Sequence, residues 1–192
     1  MKRITIEPRN DWRDTAEAHG FKFHTMDDER YWDESVCYSF TLREIEDDIE
    51  DPTTEIEQMC FEVVARAVAD DAVMARLGIP EAFWDFVADT WSQQHRNLYG
   101  RMDFAYDGKG PAKLFEYNAD TPTSLYETAV FQWVWLEQAI ERGIVPDGSD
   151  QFNSLHEALT GSFAQMGLAG KLHVACCKGS DEDEGTVEYI AD

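Results

Sequence analysis

Basic residues are scarce in this chain. Sixteen lysines and arginines stand against 39 aspartates and glutamates, a formal charge of −23. That shortage argues against nucleic acid as a partner, because phosphate binding needs a basic patch. Long apolar runs are missing too. No stretch reaches the length of a membrane-spanning helix, and the opening MKRITIEPRNDW carries no apolar signal segment. The sequence therefore predicts a soluble, cytoplasmic protein with no membrane partner. Cysteines Cys37, Cys60, Cys176 and Cys177 fall at no CxxC spacing, and the five histidines form no metal-ligand spacing. Neither a disulfide framework nor a zinc site is indicated, and each cysteine reads as a small buried hydrophobe. There is no internal repeat and no low-complexity tract.

What is present suits one domain or one and a half: 192 residues, 43% of them hydrophobic. A chain of this size can bury a substantial core. The acidity reads as a solvated surface. That is the commoner role of such charge; attraction of a cationic substrate such as a polyamine, or a salty cytoplasm, would also account for it.

Helix signals dominate the first hundred residues. Residues 8–20 read as a short helix with Asn10 or Asp11 as cap and Gly20 as stop. Val36, Tyr38 and Phe40 alternate as a strand. Thr41 to Glu44 forms a capping box, and Asp51-Pro52 is expected to break that helix and start the next. Residues 54–69 place Ile56, Met59, Cys60, Val63, Val64 and Ala67 on one stripe expected to pack on a core. A helix over 70–77 stops at Gly78. Another over 81–98 points Phe83, Trp84, Phe86, Val87 and Trp91 inward. Further on, Thr123–Arg142 reads as the longest helix, with Thr123 or Ser124 as cap. Its inner face carries Val130, Phe131, Trp133, Val134, Leu136 and Ile140. A helix over 150–166 follows. Lys171–Cys177 reads as an apolar strand, then an acidic loop at 179–185 and a helix from Thr186. Strand, loop and helix in that order make half a βαβ unit, and an acidic loop there suits an amine rather than a phosphate.

The organising stretch is Gly100–Glu127, which reads as a β-hairpin and a polar turn leading into a helix. Strands Arg101–Tyr106 and Lys113–Tyr117 flank the turn Asp107-Gly108-Lys109-Gly110. Alternation puts Met102, Phe104 and Tyr106 on one face and Arg101 and Asp103 on the other. In the second strand Phe115 and Tyr117 share a side, opposite Glu116 and Asn118. With a loop of two or four residues, Arg101, Asp103, Glu116 and Asn118 converge on one patch. Hard oxygens with a fixed cation suit a Mg²⁺–phosphate site. The plain alternative is the solvent face of a hairpin, in which Arg101 and Asp103 simply pair and point to water.

Arg101-Met102-Asp103-Phe104, followed by Phe115-Glu116-Tyr117-Asn118-Ala119-Asp120-Thr121-Pro122-Thr123, resembles the glutathionylspermidine synthase family. The likeness is to its pre-ATP-grasp part and the opening of its ATP-grasp-like ligase domain. Leu125–Gln138 and the acidic loop before Thr186 continue the resemblance, which covers nearly the whole chain.

The resemblance implies an α+β fold in three parts. These are a helical N-terminal cap (1–99), a central antiparallel hairpin packed by long helices (100–167), and the start of a pre-ATP-grasp-like βα unit (168–192). It implies an ATP-dependent carbon–nitrogen ligase that phosphorylates a peptide carboxylate, with ATP and Mg²⁺ as cofactors. An amine such as a polyamine then attacks the acyl phosphate. Asp103, Glu116 and Asn118 match the magnesium ligands, and Arg101 matches the arginine that stabilises transferring charge. Arg101 and Asp103 also match contacts to the nucleotide cofactor. Thr121 and Thr123 match hydroxyl positions that contact the peptide, where the family favours serine. Glu182, Asp183 and Glu184 resemble an acidic substrate-recognition segment. A homodimer is compatible with this reading. The stop at Asp192 inside a helix suggests a truncated ligase without its ATP-binding half and inactive alone. The alternative is a non-catalytic peptide- or polyamine-binding module.

Overall fold

The computed structural model describes residues 1–26, 28–119 and 123–192. The chain divides into two units, one of Met1–Thr41 with Asn118–Asp192, the other of Leu42–Tyr117. The fold is mixed α and β, with small two-stranded sheets beside the helices.

In the first unit, β1 (Lys2–Thr5) pairs antiparallel with β4 (Val36–Ser39), setting Ile4 opposite Cys37. The alternation at Val36 and Tyr38 announced β4. Its partner β1 has no such apolar pattern and was not anticipated. Between them lie α1 (Trp12–Ala18) and the short pair β2 (Thr25–Met26) and β3 (Glu29–Arg30). Gly20 ends the α1 region at φ 82, a left-handed turn that a side chain would resist. Trp12 and Ala16, one turn apart, present the inner face of α1 to Phe21, Phe23 and Phe131. Phe21 stands edge-on to Phe23 at 4.7 Å and to Phe131 at 4.8 Å, a favourable geometry for rings.

Phe131 closes a π-helical turn (Glu127–Phe131) that runs into α6 (Gln132–Glu141). Arg142 grips Asp11 through two bonds of 2.6 and 3.0 Å, tying α6 to the start of α1. Arg9 and Glu34 form a bidentate, fully buried ion pair, and Arg9 also donates to Gln138 at 2.8 Å. Trp133, expected inward, is 42% exposed, since its neighbours at 131, 134 and 136 already fill the buried stripe.

α7 (Leu155–Met166) and α8 (Asp181–Ala191) complete this unit. The expected strand over Lys171–Cys177 does not form, and those residues are exposed. A strand exists only by hydrogen bonding to a neighbour, and no described strand lies beside this segment to extend it into a βα unit. Cys176 and Cys177 are therefore exposed, while Cys37 and Cys60 are half-buried, so none is a fully buried hydrophobe. The expected acidic loop is helix instead. Asp181, Glu182, Asp183 and Glu184 occupy the first turn of α8, where carboxylates suit the positive end of the helix. The Ser180 hydroxyl accepts from the Asp183 amide. A Cβ on Gly185 would collide with the Phe23 ring, so only glycine lets α8 lie this close.

In the second unit, α2 (Leu42–Ile45), a π-helical turn (Glu46–Glu50) and α3 (Asp51–Val68) run on without the break expected at Pro52. Pro52 has no N–H to donate to the Asp48 carbonyl four residues back, and that carbonyl accepts the Ala112 amide at 2.7 Å. α4 (Asp71–Arg76), capped by the Asp70 side chain, and α5 (Trp84–Ser92) pack on α3. β5 (Arg101–Ala105) and β6 (Lys113–Asn118) form the hairpin. Met59, Val63, Phe83 and Phe86, expected in the core, are 50%, 55%, 56% and 66% exposed. Their apolar stripes are wider than the contact each helix makes.

Candidate functional site

The hairpin is anchored from beneath by Asp48. This carboxylate is buried and accepts the Tyr106 hydroxyl at 2.7 Å, while its backbone carbonyl holds Ala112 at the far side of the connection. Burial and then the bond to Asp48 push the Tyr106 phenol up to about 12. Both ends of residues 106–112 are thus fixed to the π-helical turn, which holds β5 and β6 in place.

On that frame Arg101 and Asp103 share a face of β5, two residues apart. They form a bidentate ion pair, Nε to Oδ1 at 2.9 Å and Nη2 to Oδ2 at 3.3 Å. The pairing matches the plain reading of the hairpin, although the side chains are only 34% and 39% exposed rather than fully in water. Glu116 is exposed on β6, and Asn118, half-buried, is its last residue.

Two carboxylates and an amide oxygen are hard donors of the kind Mg²⁺ accepts. Each Asp103 oxygen accepts one guanidinium hydrogen from Arg101. Among the described residues no group of three or more His, Cys, Asp or Glu side chains is placed to hold a metal ion. Any Mg²⁺ held by Asp103, Glu116 and Asn118 would need its remaining oxygens from elsewhere, such as substrate phosphates.

The acidic residues of α8 meet a different environment in the first unit. The Tyr31 hydroxyl lies 2.5 Å from Glu127 and 3.1 Å from Glu182, with the Ser124 hydroxyl at 3.5 Å. Glu127 is buried. Burial and then the bond to Glu127 raise the Tyr31 phenol far above its usual range. Glu184 instead turns back to accept the Gly179 amide at 3.3 Å, and Asp183 lies at the Ser180 cap. Only Glu182 of the three acidic candidates joins the Tyr31 group. Thr123 is half-buried, and Thr121 lies outside the described residues.

Sequence reasoning missed Tyr31, Glu127 and the Asp48–Tyr106 clasp as site-building residues. Their partners lie between 58 and 151 positions away, so no local spacing could show them.

Comparison with known proteins agrees with the family resemblance. The profile of the family described as glutathionylspermidine synthase preATP-grasp matches residues 3–192. An inferred acid–amine ligase from Haemophilus influenzae is 40% identical over 200 residues, covering 100% of this chain and 49% of that protein. Trypanothione synthetase of Crithidia fasciculata is 29% identical over 72% of this chain and 20% of its own length. The bifunctional glutathionylspermidine synthetase/amidase of Escherichia coli is 27% identical over 68% of this chain and 20% of its own. The chain thus spans about half, or less, of the relatives it matches. It belongs to the glutathionylspermidine synthase family, whose preATP-grasp region it carries.

Proposed function

We propose that this chain supplies one wall of an ATP-dependent acid–amine ligase. In that reading a peptide carboxylate attacks the terminal phosphorus of ATP, ADP leaves, and an amine such as a polyamine displaces phosphate from the acyl phosphate. The observation that carries it is the Arg101–Asp103 pair on a hairpin that lies within the span the family profile matches. Asp103, Glu116 and Asn118 would hold Mg²⁺, which supplies charge neutralisation at the phosphates when bound. Arg101 would let go of Asp103 and follow the charge that builds on the transferring phosphoryl group. Thr121 and Thr123 would contact the peptide. Glu182, fixed by Tyr31, would meet the ammonium of the amine, with Asp183 and Glu184 adding negative potential nearby. The relatives' greater length suggests that the residues cradling the adenine and ribose belong to a region outside this chain.

The closed Arg101–Asp103 pair favours a second reading, a binding module without phosphoryl chemistry. ADP release by this chain together with the ATP-binding remainder that the ligase reading requires, in the presence of Mg²⁺, ATP, a glutathione-like peptide and spermidine, separates the two. For the ligase, Glu116→Ala lowers the rate at least about 100-fold, the usual scale for removing charge stabilisation at such a centre. Equal rates for Glu116→Ala and the unaltered protein would sink the ligase reading. So would Mn²⁺–ATP that leaves the amide signals of Asp103 and Glu116 unbroadened in NMR spectra.

A further inference from the structure

Behind the hairpin, in the second unit, lies a cleft of about 430 Å³ that the ligase reading leaves unused. Its size falls within the range of small-molecule pockets, roughly 300–1,000 Å³. Met102, Phe104 and Tyr117 enter it from the hairpin, and Tyr99 from the segment before β5. Because side chains alternate along a strand, Met102, Phe104 and Tyr117 belong to the face opposite Arg101, Asp103 and Glu116.

The other wall is the first half of α3. Thr53 and Glu57 stand one turn apart and so share a face. The Thr53 hydroxyl gives its hydrogen to the Ile49 carbonyl at 2.7 Å, so its oxygen faces the cleft as an acceptor only. Glu57 is half-buried, and no lysine, arginine or histidine lines the cleft to balance it. No described cation lies within ion-pairing distance of Glu57. Its charge is felt at the Tyr117 phenol, which burial raises first and Glu57 second. The Tyr117 ring lies directly on the Gly100 backbone, where a Cβ would stand 2.5 Å from Cε2. Glycine at position 100 thus lets the ring form the cleft wall.

Aromatic and aliphatic side chains, a thioether, the Asn97 amide, the Thr53 acceptor and the Glu57 carboxylate make up a lining that favours a cation with a hydrocarbon body. We infer that this cleft binds a free primary alkylammonium, with its charged head on Glu57 and Thr53 and its chain against Phe104, Met102 and Tyr117. The site is separate from the polar face of the hairpin and does not rest on the ligase reading. It holds an amine rather than reacting it.

The test is an NMR titration of the 192-residue chain with n-butylammonium, without nucleotide, read at the amides of α3, β5 and β6. The expected result is saturable shifts at residues 53, 57, 102, 104 and 117, with Kd on the order of 1 mM. Glu57→Gln weakens binding about tenfold, whereas Glu55→Gln, an equal charge change on the exposed side of α3, weakens it less than about twofold. The neutral isostere 1-butanol binds at least about tenfold more weakly than the ammonium. Melting curves of both variants confirm that they fold. Shifts confined to α8, equal binding by Glu57→Gln, equal binding by 1-butanol, or no saturable shift at about 10 mM each overturn the proposal.

Discussion

The two units treat similar apolar patterns in opposite ways. In the first, Phe21 and Phe131 have no exposed surface and pack ring against ring. In the second, Phe83 and Phe86 recur at helical spacing yet stand 56% and 66% exposed. Periodicity says which side chains share a face, and only the neighbouring elements decide whether that face is covered. The first unit gathers its neighbours from both ends of the chain, bringing residues 12–32 against residues 126–134. The second gathers them from one continuous stretch, and its helices have fewer partners than apolar faces.

Predictions that sharpen this contrast begin with the largest effect. Glu34→Ala strands the buried Arg9 guanidinium in the first unit. A loss of about 3–5 kcal/mol is expected, because breaking a buried pair leaves an uncompensated charge. Denaturant unfolding measures it, and a loss as small as that of a surface mutation would show that water reaches Arg9. Next, Phe21→Ala should cost about 3–5 kcal/mol through the cavity it leaves, whereas Phe86→Ala should change stability by no more than about 0.5 kcal/mol. Comparable losses at the two sites would mean that the exposed face is covered in solution.

The smallest effect is a pH dependence with one phenol in each unit. Burial lifts both Tyr106 and Tyr126 to about 12, from an ordinary value near 10, with Asp48 and Glu127 respectively as the second cause. In each case the folded protein holds the proton more tightly than the unfolded chain. The stabilisation is therefore complete below about pH 10 and is lost as pH rises toward about 12. Tyrosinate absorbance should show these two groups ionising late. Midpoints near 10 for either would mean that its hydroxyl is open to water.

Much of the helical outline was legible because its signals are local. Gly20, Gly78 and Gly143 mark helix ends with positive φ, as a residue without Cβ allows. The hairpin was legible for the same reason, from alternation around Asp107–Gly110. The Arg101–Asp103 pairing was one of the two readings that the alternation left open. Other features depended on partners. Lys171–Cys177 has strand composition but no strand beside it. Pro52 is a breaker by itself, yet here its missing hydrogen frees the Asp48 carbonyl for Ala112. The four acidic residues at 181–184 read as loop until the positive end of a helix is there to receive them.

By itself the sequence determined several helix ends, such as those at Gly20, Gly78 and Gly143, which residues alternate on the hairpin, and which family the chain belongs to. Those properties are written in backbone preferences and short spacings. Tertiary structure alone decided that Asp48 clasps the hairpin, that Tyr31 gathers Glu127 and Glu182, and that Glu57 faces an aromatic cleft. These contacts join residues brought together only by folding, and their energies depend on burial. For Gly100–Glu127 the sequence supplied the chemical groups, and the fold fixed which of them face each other.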